Sequence, residues 1–236
     1  MEQRTQRLPG GTLVYTGAGV GFSADALFLA HFSALKKGRA LDIGTGCGIL
    51  PLALFDAGFA GSFTALELDA GAAALARRAA EDNRLACEVL CCDARGYRTS
   101  AKFDAAVCNP PYFGAGRPSP DGYRAAARHT LSLTAADAAG IARRSLREGG
   151  RLYMCYAPAR LETLLAALRE NELSLKRLRF VRERAGGPAS LALADAVYRG
   201  GEGADILPDL VVRLADGSYS PEAARALGAA AREDKQ

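Results

Sequence analysis

The chain has 236 residues, 49% of them apolar and 24% charged, with a net charge of +4. That length supports one good-sized core and is short for two full domains. The longest apolar runs, Ala70 to Ala76 and Ser190 to Ala194, fall far short of the ~20 residues a membrane span needs, and the start of the chain has no apolar segment of the signal-peptide kind. A cytoplasmic protein without membrane contact is expected. The oligomeric state stays open, with a monomer favoured.

Taken in chain order, the pattern opens with Thr12–Thr16 and Val20–Phe22, split by Gly17-Ala18-Gly19, which predict a small hairpin. A helix over Ser23–Leu35 follows, with Ser23 placed to cap it. Short apolar runs then alternate with helical patterns, which points to an α/β architecture with a mostly parallel sheet. Strands are expected at Ala40–Ile43, Ser62–Glu67, Glu88–Cys92, Phe103–Cys108, Arg151–Tyr156, Ser174–Val181 and Ser190–Tyr198. Helices are expected at Gly48–Ala57, Ala70–Asn83, Ala135–Arg147 and Ala159–Asn171, and Thr134 with Asp137 reads as a capping box. Phe113 to Thr130 lacks any period, and a loop of that length is usually functional or disordered. A hairpin around Ile206–Leu214 and a short helix from Pro221 close the pattern. The organisation expected is a single domain over 1–236: a hairpin-and-helix prefix at 1–38, a core at 39–200, and a C-terminal hairpin and helix at 201–236.

The six cysteines do not make a disulfide scaffold or a metal site. Cys87, Cys91, Cys92, Cys108 and Cys155 fall in runs that read as buried strands, Cys47 lies in a glycine-rich turn, and there is no Cys-x-x-Cys pair. With His31 and His129 the only histidines, no metal is expected. Charge is uneven: from Arg143 to Arg184 eleven basic residues stand against five acidic ones. A polyanionic partner would need such a stripe. Solvated helix and strand faces would produce it equally well, and charge alone leaves both readings open.

Leu41-Asp42-Ile43-Gly44-Thr45-Gly46-Cys47-Gly48 follows a strand and opens a helix. Its glycines are spaced Gly-x-Gly-x-Gly, whereas a dinucleotide turn places the third glycine one residue later, where Ile49 stands. The acid-led turn leaves room for an amino-acid moiety close to the backbone, and Asp42 can orient a cationic amino group. Glu67, at the end of the next strand with Leu68 beyond it, can accept both hydroxyls of a ribose. Asp93, followed by Ala94, ends the third strand and can accept from an adenine amino group. Three acids at three successive strand ends behind a glycine turn resemble the class I methyltransferase fold. That resemblance implies a seven-stranded, mostly parallel Rossmann-like sheet with helices on both faces, and S-adenosylmethionine as cofactor, with Thr45 and Asn109 also at its site.

Phe103–Cys108 runs into Asn109-Pro110-Pro111-Tyr112-Phe113. Two consecutive prolines fix φ and remove two donors, so the Pro110 carbonyl points outward as a bare acceptor. With the side-chain carbonyl of Asn109, it can accept both hydrogens of an –NH₂ group. A conjugated amine needs this, because its lone pair is delocalised until the nitrogen is drawn toward a tetrahedral shape. Tyr112 can stack on the substrate's flat face, worth ~1–3 kcal/mol for a base. No strong base is required, since a sulfonium methyl donor is already reactive and alignment carries much of the rate.

These features together resemble the bacterial tRNA-valine adenine-37 N6-methyltransferases over nearly the whole chain. The resemblance rests on Gly21-Phe22-Ser23-Ala24-Asp25, Asp42–Gly48, Asn109–Phe113, Ala127-Arg128-His129, Leu178–Val181 and Asp216-Gly217-Ser218-Tyr219. It implies methyl transfer to the N6 of an anticodon-loop adenine, with tRNA as partner. It also implies Phe22 and Asp25 beside the cofactor, Asn109, Pro110, Pro111 and Tyr112 on the target base, and Arg128 and His129 near the substrate entrance. Thr130 departs from the family's glutamate, and His31 reads as structural. The motif by itself also fits an rRNA base or a protein glutamine. Forty-odd residues before Gly44 are too few for the helical substrate domain of a glutamine methyltransferase, and no segment is large enough for DNA target recognition.

Overall fold

The computed structural model describes residues 3–17, 19–110 and 133–228. The chain opens with an antiparallel pair, β1 (Gln3–Arg7) and β2 (Leu13–Gly17), in register from Gln3 opposite Gly17 to Arg7 opposite Leu13. This replaces the expected pairing of Thr12–Thr16 with Val20–Phe22, of which only one bridge between Gly17 and Val20 is formed. The turn at Leu8–Thr12, closed by Leu8 N to Thr12 O at 2.9 Å and Gly11 N to Leu8 O at 2.9 Å, brings in the earlier strand and offers five paired positions.

Helix α1 (Ala24–Ser33) begins after Ser23, but the Ser23 side chain makes no cap bond to the helix backbone. The nearby Ser23 hydroxyl instead opposes the rise that burial gives the Asp25 carboxyl. The body then alternates: β3 (Lys37–Ile43), α2 (Ile49–Asp56), β4 (Ala60–Glu67), α3 (Ala70–Asp82), β5 (Cys87–Cys91) and β6 (Phe103–Cys108). Beyond the undescribed stretch come α4 (Ala135–Ser145), β7 (Leu146–Tyr156), α5 (Leu161–Glu170), β8 (Leu173–Arg184) and β9 (Ala189–Tyr198). Thr134 and Asp137 form the anticipated capping box on α4, and Asp69 caps α3 by accepting from Ala72 N at 2.8 Å.

The strands line up as β5-β4-β3-β6-β7-β9-β8, all parallel except β9, which runs antiparallel to both neighbours. These are the seven strands expected. The sheet is extended to nine by β10 (Asp205–Ile206) and β11 (Leu210–Arg213), each parallel to β8 on its free edge. The tail is therefore not a hairpin. Its two strands share an edge of β8 rather than pairing with each other, because Pro208 and Asp209 carry the chain forward along that edge instead of reversing it. A last helix, α6 (Pro221–Leu227), is capped by Ser220, which accepts from Ala223 N at 3.1 Å.

Helices cover both faces. Phe28, Leu29 and Phe32 of α1 and Leu50, Leu52 and Leu54 of α2 pack with Val107, Tyr153 and Leu193 on one side. Ala138, Ile141, Leu164 and Leu168 of α4 and α5 pack with Leu41, Leu66, Ala106 and Met154 on the other. The first of these clusters also takes in Leu8 and Val14 of the prefix and Ala223 of the tail. The expected burial of the strand cysteines holds for Cys108 and Cys155 but not for Cys91, which is exposed because β5 is the outer edge strand of the sheet.

Two carboxamide and carboxylate groups fasten the prefix to the body. Asn83 donates to Leu13 O and accepts from Leu13 N, each at 2.8 Å, and Asp56 accepts from Gly10 N at 2.8 Å and Thr12 N at 3.1 Å. Replacing Asn83 by alanine leaves both Leu13 groups unpaired at a part-buried seam. Asn83→Ala is expected to lower stability by about 1–2 kcal/mol, read as a lower urea midpoint with the slope unchanged.

Candidate cofactor and methyl-acceptor site

The parallel strands end together at one edge of the sheet, where ligands bind in folds of this kind. At the end of β3 the chain turns through Gly44, Gly46 and Gly48 with φ of +77°, +58° and +84°. An L side chain is strained in that region. At Gly44 a β-carbon would also come within 3.1 Å of Leu133 Cδ1, and at Gly48 within 3.3 Å of the Ala76 side chain. The turn is tied to β4: Leu66 O accepts from Gly44 N at 3.0 Å and Thr45 N at 2.9 Å, while Glu67 Oε2 accepts from Gly46 N at 2.7 Å. Glu67 Oε1 takes Asp69 N at 2.8 Å. Each oxygen of Glu67 thus spends one lone-pair site on the backbone and keeps another for a ligand hydroxyl.

Asp42 lies beneath this turn, completely buried, and neither of its oxygens has a hydrogen-bond partner among the described residues. Burial pushes its carboxyl up to about 7. The nearby Thr45 hydroxyl opposes the rise without reaching hydrogen-bond geometry, and the Glu67 charge adds to it. A buried, unpartnered carboxylate is costly, and a cationic group is what it lacks.

Asp93 follows β5, which is drawn to the end of β4 by Cys92 N donating to Glu67 O at 2.8 Å. Its carboxylate is turned onto Arg95, with contacts at 3.0, 3.1 and 2.7 Å to the guanidinium and 2.9 Å to Arg95 N. Those bonds hold its carboxyl below the usual range. The expected adenine acceptor is therefore already engaged, and an incoming amine would share its remaining lone pairs. Ala94 is buried, and Leu68 stays 44% exposed, an apolar side chain beside Glu67.

Two groups that the sequence reading passed over support this edge. Arg144 of α4 reaches under the segment after Asp93 and donates to Ala94 O at 3.1 Å, Arg95 O at 2.9 Å and Tyr97 O at 3.2 Å. Cys155 of β7 donates its thiol to Asn109 Oδ1 at 2.9 Å. Neither has a motif around it, and only the pairing of distant elements brings them in.

Asn109 and Pro110 stand at the end of β6, and Cys108 donates to Ile43 O at 3.3 Å, so the acceptor strand and the glycine turn are held side by side. Pro110 is buried. Pro111, Tyr112, Arg128, His129 and Thr130 lie outside the described residues. Of the prefix residues, Phe22 packs against the α1-side core, and Asp25 sits in the first turn of α1 with its carboxyl raised by burial. The contact with the glycine turn is made one residue earlier, with the Cys47 thiol 3.9 Å from Gly21 O.

The basic stripe is largely consumed internally. Arg143 pairs with Glu172, Arg147 with Asp104, Arg179 with Glu222 and Arg182 with Asp209. Arg151 and Arg177 both close on the fully buried Asp195 at 2.6 Å. The structure thus favours the solvated-face and ion-pair reading for most of these residues.

Residues 13–171 match the family described as methyltransferase small domain. The chain belongs to that family. It is 32% identical over 203 residues to a protein of Aeromonas salmonicida named tRNA1(Val) (adenine(37)-N6)-methyltransferase, covering 83% of this chain and 84% of that protein. It is 36% identical over 122 residues to the Shewanella halifaxensis protein of the same name, where the match spans about half of each chain (49%). Among solved structures, a predicted O-methyltransferase from Agrobacterium tumefaciens shares the fold with a TM-score of 0.70, at 20% identity over 86% of this chain and 95% of that one. A Thermus thermophilus 16S rRNA N2 methyltransferase in complex with AdoMet and guanosine shares it at 0.58, with 19% identity over 84% and 50% of the two chains.

Methyltransferases of this fold use S-adenosylmethionine, and the residues present fit it. Asp42 has no cationic partner among the described residues, the turn has no side chain at positions 44, 46 and 48, and Glu67 keeps an acceptor site on each oxygen. One consequence is a pH dependence. Asp42 is neutral below about 7 in the free protein, and its folded value lies above the ordinary 3.8, so its contribution to stability is complete below about 4 and is lost as pH rises through 7. Binding an ammonium reverses this preference. The affinity for S-adenosylmethionine is expected to rise by about tenfold per unit as pH increases toward 7, with proton release measurable by calorimetry in two buffers. The gain should stop near pH ~7.5, where the ligand's own amine begins to lose its proton. Asp42→Asn should bind weakly and with a flat profile, and an unchanged profile in that variant would rule Asp42 out.

Proposed function

We propose that the protein transfers a methyl group to the exocyclic N6 of an adenine in tRNA, at anticodon-loop position 37 as the names of its relatives suggest. The observation that carries the reading is the position of Asn109: its side-chain carbonyl stands at the end of β6, bonded by Cys155 and next to the glycine turn through Cys108 and Ile43. In this reading 1–236 acts as one domain, as a monomer in the cytoplasm. The cofactor residues are Phe22, Asp25, Asp42, Gly44, Thr45, Gly46, Gly48, Glu67, Leu68, Asp93, Ala94 and Asn109.

S-adenosylmethionine, when bound, supplies a methyl carbon made electrophilic by the attached sulfonium. The protein's part is to hold the amine. Asn109 Oδ1 and the Pro110 carbonyl each accept one N–H of the target amine, which draws the nitrogen out of conjugation and frees its lone pair. Pro110 and Pro111 stiffen the acceptor backbone, so the two carbonyls need little reorganisation. Tyr112 stacks on the base. After transfer the surplus proton leaves to water, so no side chain has to act as a strong base.

Asn109→Ala removes one of the two acceptors without touching the glycine turn. It is expected to lower kcat by about 100-fold or more, in the range found for loss of one preorganised polar group, and to weaken the calorimetric affinity for S-adenosylmethionine far less, since the rest of the cofactor site is left in place. Full turnover in this variant would overturn the assignment. Nucleoside mass spectrometry of tRNA from a deletion strain should show loss of N6-methyladenosine. Loss instead of a methylated rRNA base, or of methylglutamine from protein, would replace the substrate and leave the methyl transfer in place.

A further inference from the structure

We propose that Arg144 is a positioning residue that fixes the cofactor's base specificity: by holding the turn Ala94–Gly96 it sets the Asp93 carboxylate to take a 6-amino purine and refuse a 6-oxo one. The inference rests on the reading above, in which Asp93 belongs to the cofactor site and accepts from the adenine amino group. Arg144 stands near the end of α4, about fifty residues along the chain from that turn. Its Nη2 donates to Ala94 O at 3.1 Å and Arg95 O at 2.9 Å, and its Nε to Tyr97 O at 3.2 Å. Short helical turns leave their last carbonyls in need of outside donors, and a planar guanidinium spans several of them where an ammonium does not. The exposed Arg98 also bonds Arg95 O and Tyr97 O, at 2.9 and 2.8 Å. Arg144 is the side chain that reaches Ala94 O, the carbonyl next to Asp93. Partial burial, and then the charge of Arg98, lower its pKa. The carbonyls are what hold a partly desolvated cation there.

The same turn orients Asp93. Gly96 N donates to Asp93 O at 3.0 Å, and Arg95 N donates to Asp93 Oδ1 at 2.9 Å. Upstream, Cys92 N on Glu67 O at 2.8 Å ties the strand end to β4. Asp93 is thus fixed by β4 on one side and, through the turn, by α4 on the other. The Arg95 guanidinium also closes on its carboxylate, but an exposed pair of this kind is worth little and yields to a ligand. The backbone bond from Arg95 N remains. A carboxylate is an acceptor only, so in that fixed place it bonds an amino group and repels a carbonyl oxygen.

Calorimetry on the full chain tests this with S-adenosylhomocysteine and its 6-oxo analogue S-inosylhomocysteine, which differ at the group that faces Asp93. The unaltered protein is expected to prefer the adenine form by about tenfold or more, as a hydrogen bond to a charged group allows. Arg144→Met keeps the stem and removes the donors. Its preference is expected to fall to about threefold or less, with the affinity for the inosine form lowered by no more than about twofold. Arg144→Lys keeps the charge and a donor and is expected to fall between; if the methionine variant does not fold, the lysine variant decides by the same criterion. An arginine that served stability alone would weaken both ligands alike or neither. Equal weakening, or an undiminished preference, would overturn the proposal. Asp93→Ala with the same ligands separates the two readings. If the unaltered protein has no preference, or Asp93→Ala keeps it, Asp93 does not read the base and both readings fail. If Asp93→Ala loses the preference while the Arg144 variants keep it, only the role of Arg144 is wrong.

Discussion

The turn from Gly44 to Gly48 is pinned to the neighbouring strand at three amide nitrogens, two on Leu66 O and one on Glu67 Oε2. Those bonds require a left-handed backbone at three alternate positions, which glycine adopts without strain. Everything at the strand ends is arranged around this constraint. Pinning the turn against β4 closes it over Asp42, which is fully buried and has no hydrogen-bond partner among the described residues. The same bonds orient Glu67, since one carboxylate serves both the turn and the start of α3. Backbone bonding thus leaves one buried carboxylate and one fixed carboxylate at the strand ends, before any ligand is considered.

The remaining edge is held by groups far apart in sequence. Arg144 of α4 fastens the segment after Asp93 through three backbone carbonyls, and partial burial lowers its pKa. Cys108 ties β6 to β3, and Cys155 ties β7 to Asn109, so two thiols serve as small donors within an apolar strand layer. Thiols suit this place because they pack as apolar groups and still donate weakly. Prefix and tail are joined to the body by carboxylates and amides: Asp56 and Asn83 at one end, and Glu222, bonded to Arg179 at 2.6 and 2.8 Å, at the other. The basic residues from Arg143 to Arg184 largely belong to such internal bonding.

Much of this was legible in the sequence. Periodicity and punctuation located every strand of the seven-stranded core, and Phe103–Cys108 was placed residue for residue. The glycine turn and the acids at the ends of β3, β4 and β5 were legible because local geometry demands them. A tight strand-to-helix turn needs glycine, and a strand end is where a short acid can meet a ligand. The pairings of the prefix and tail strands were not legible. A five-residue strand such as Gln3–Arg7 is polar and has no alternation, and only its partner makes it a strand. The tail read as a hairpin because two short apolar runs flank a proline, yet the free edge of β8 captured each run separately.

By itself the sequence determined the fold class and located the glycine turn and the strand that leads into Asn109, since each depends on residues within a few positions of one another. Only the tertiary structure decided that Asp42 has no hydrogen-bond partner among the described residues, that Asp93 is already bonded to Arg95, that Arg144 holds the segment after Asp93 and that Cys155 bonds Asn109. Those facts depend on which elements pack together and on how much water they exclude. Burial and long-range pairing are properties of the folded sheet, and no local spacing encodes them.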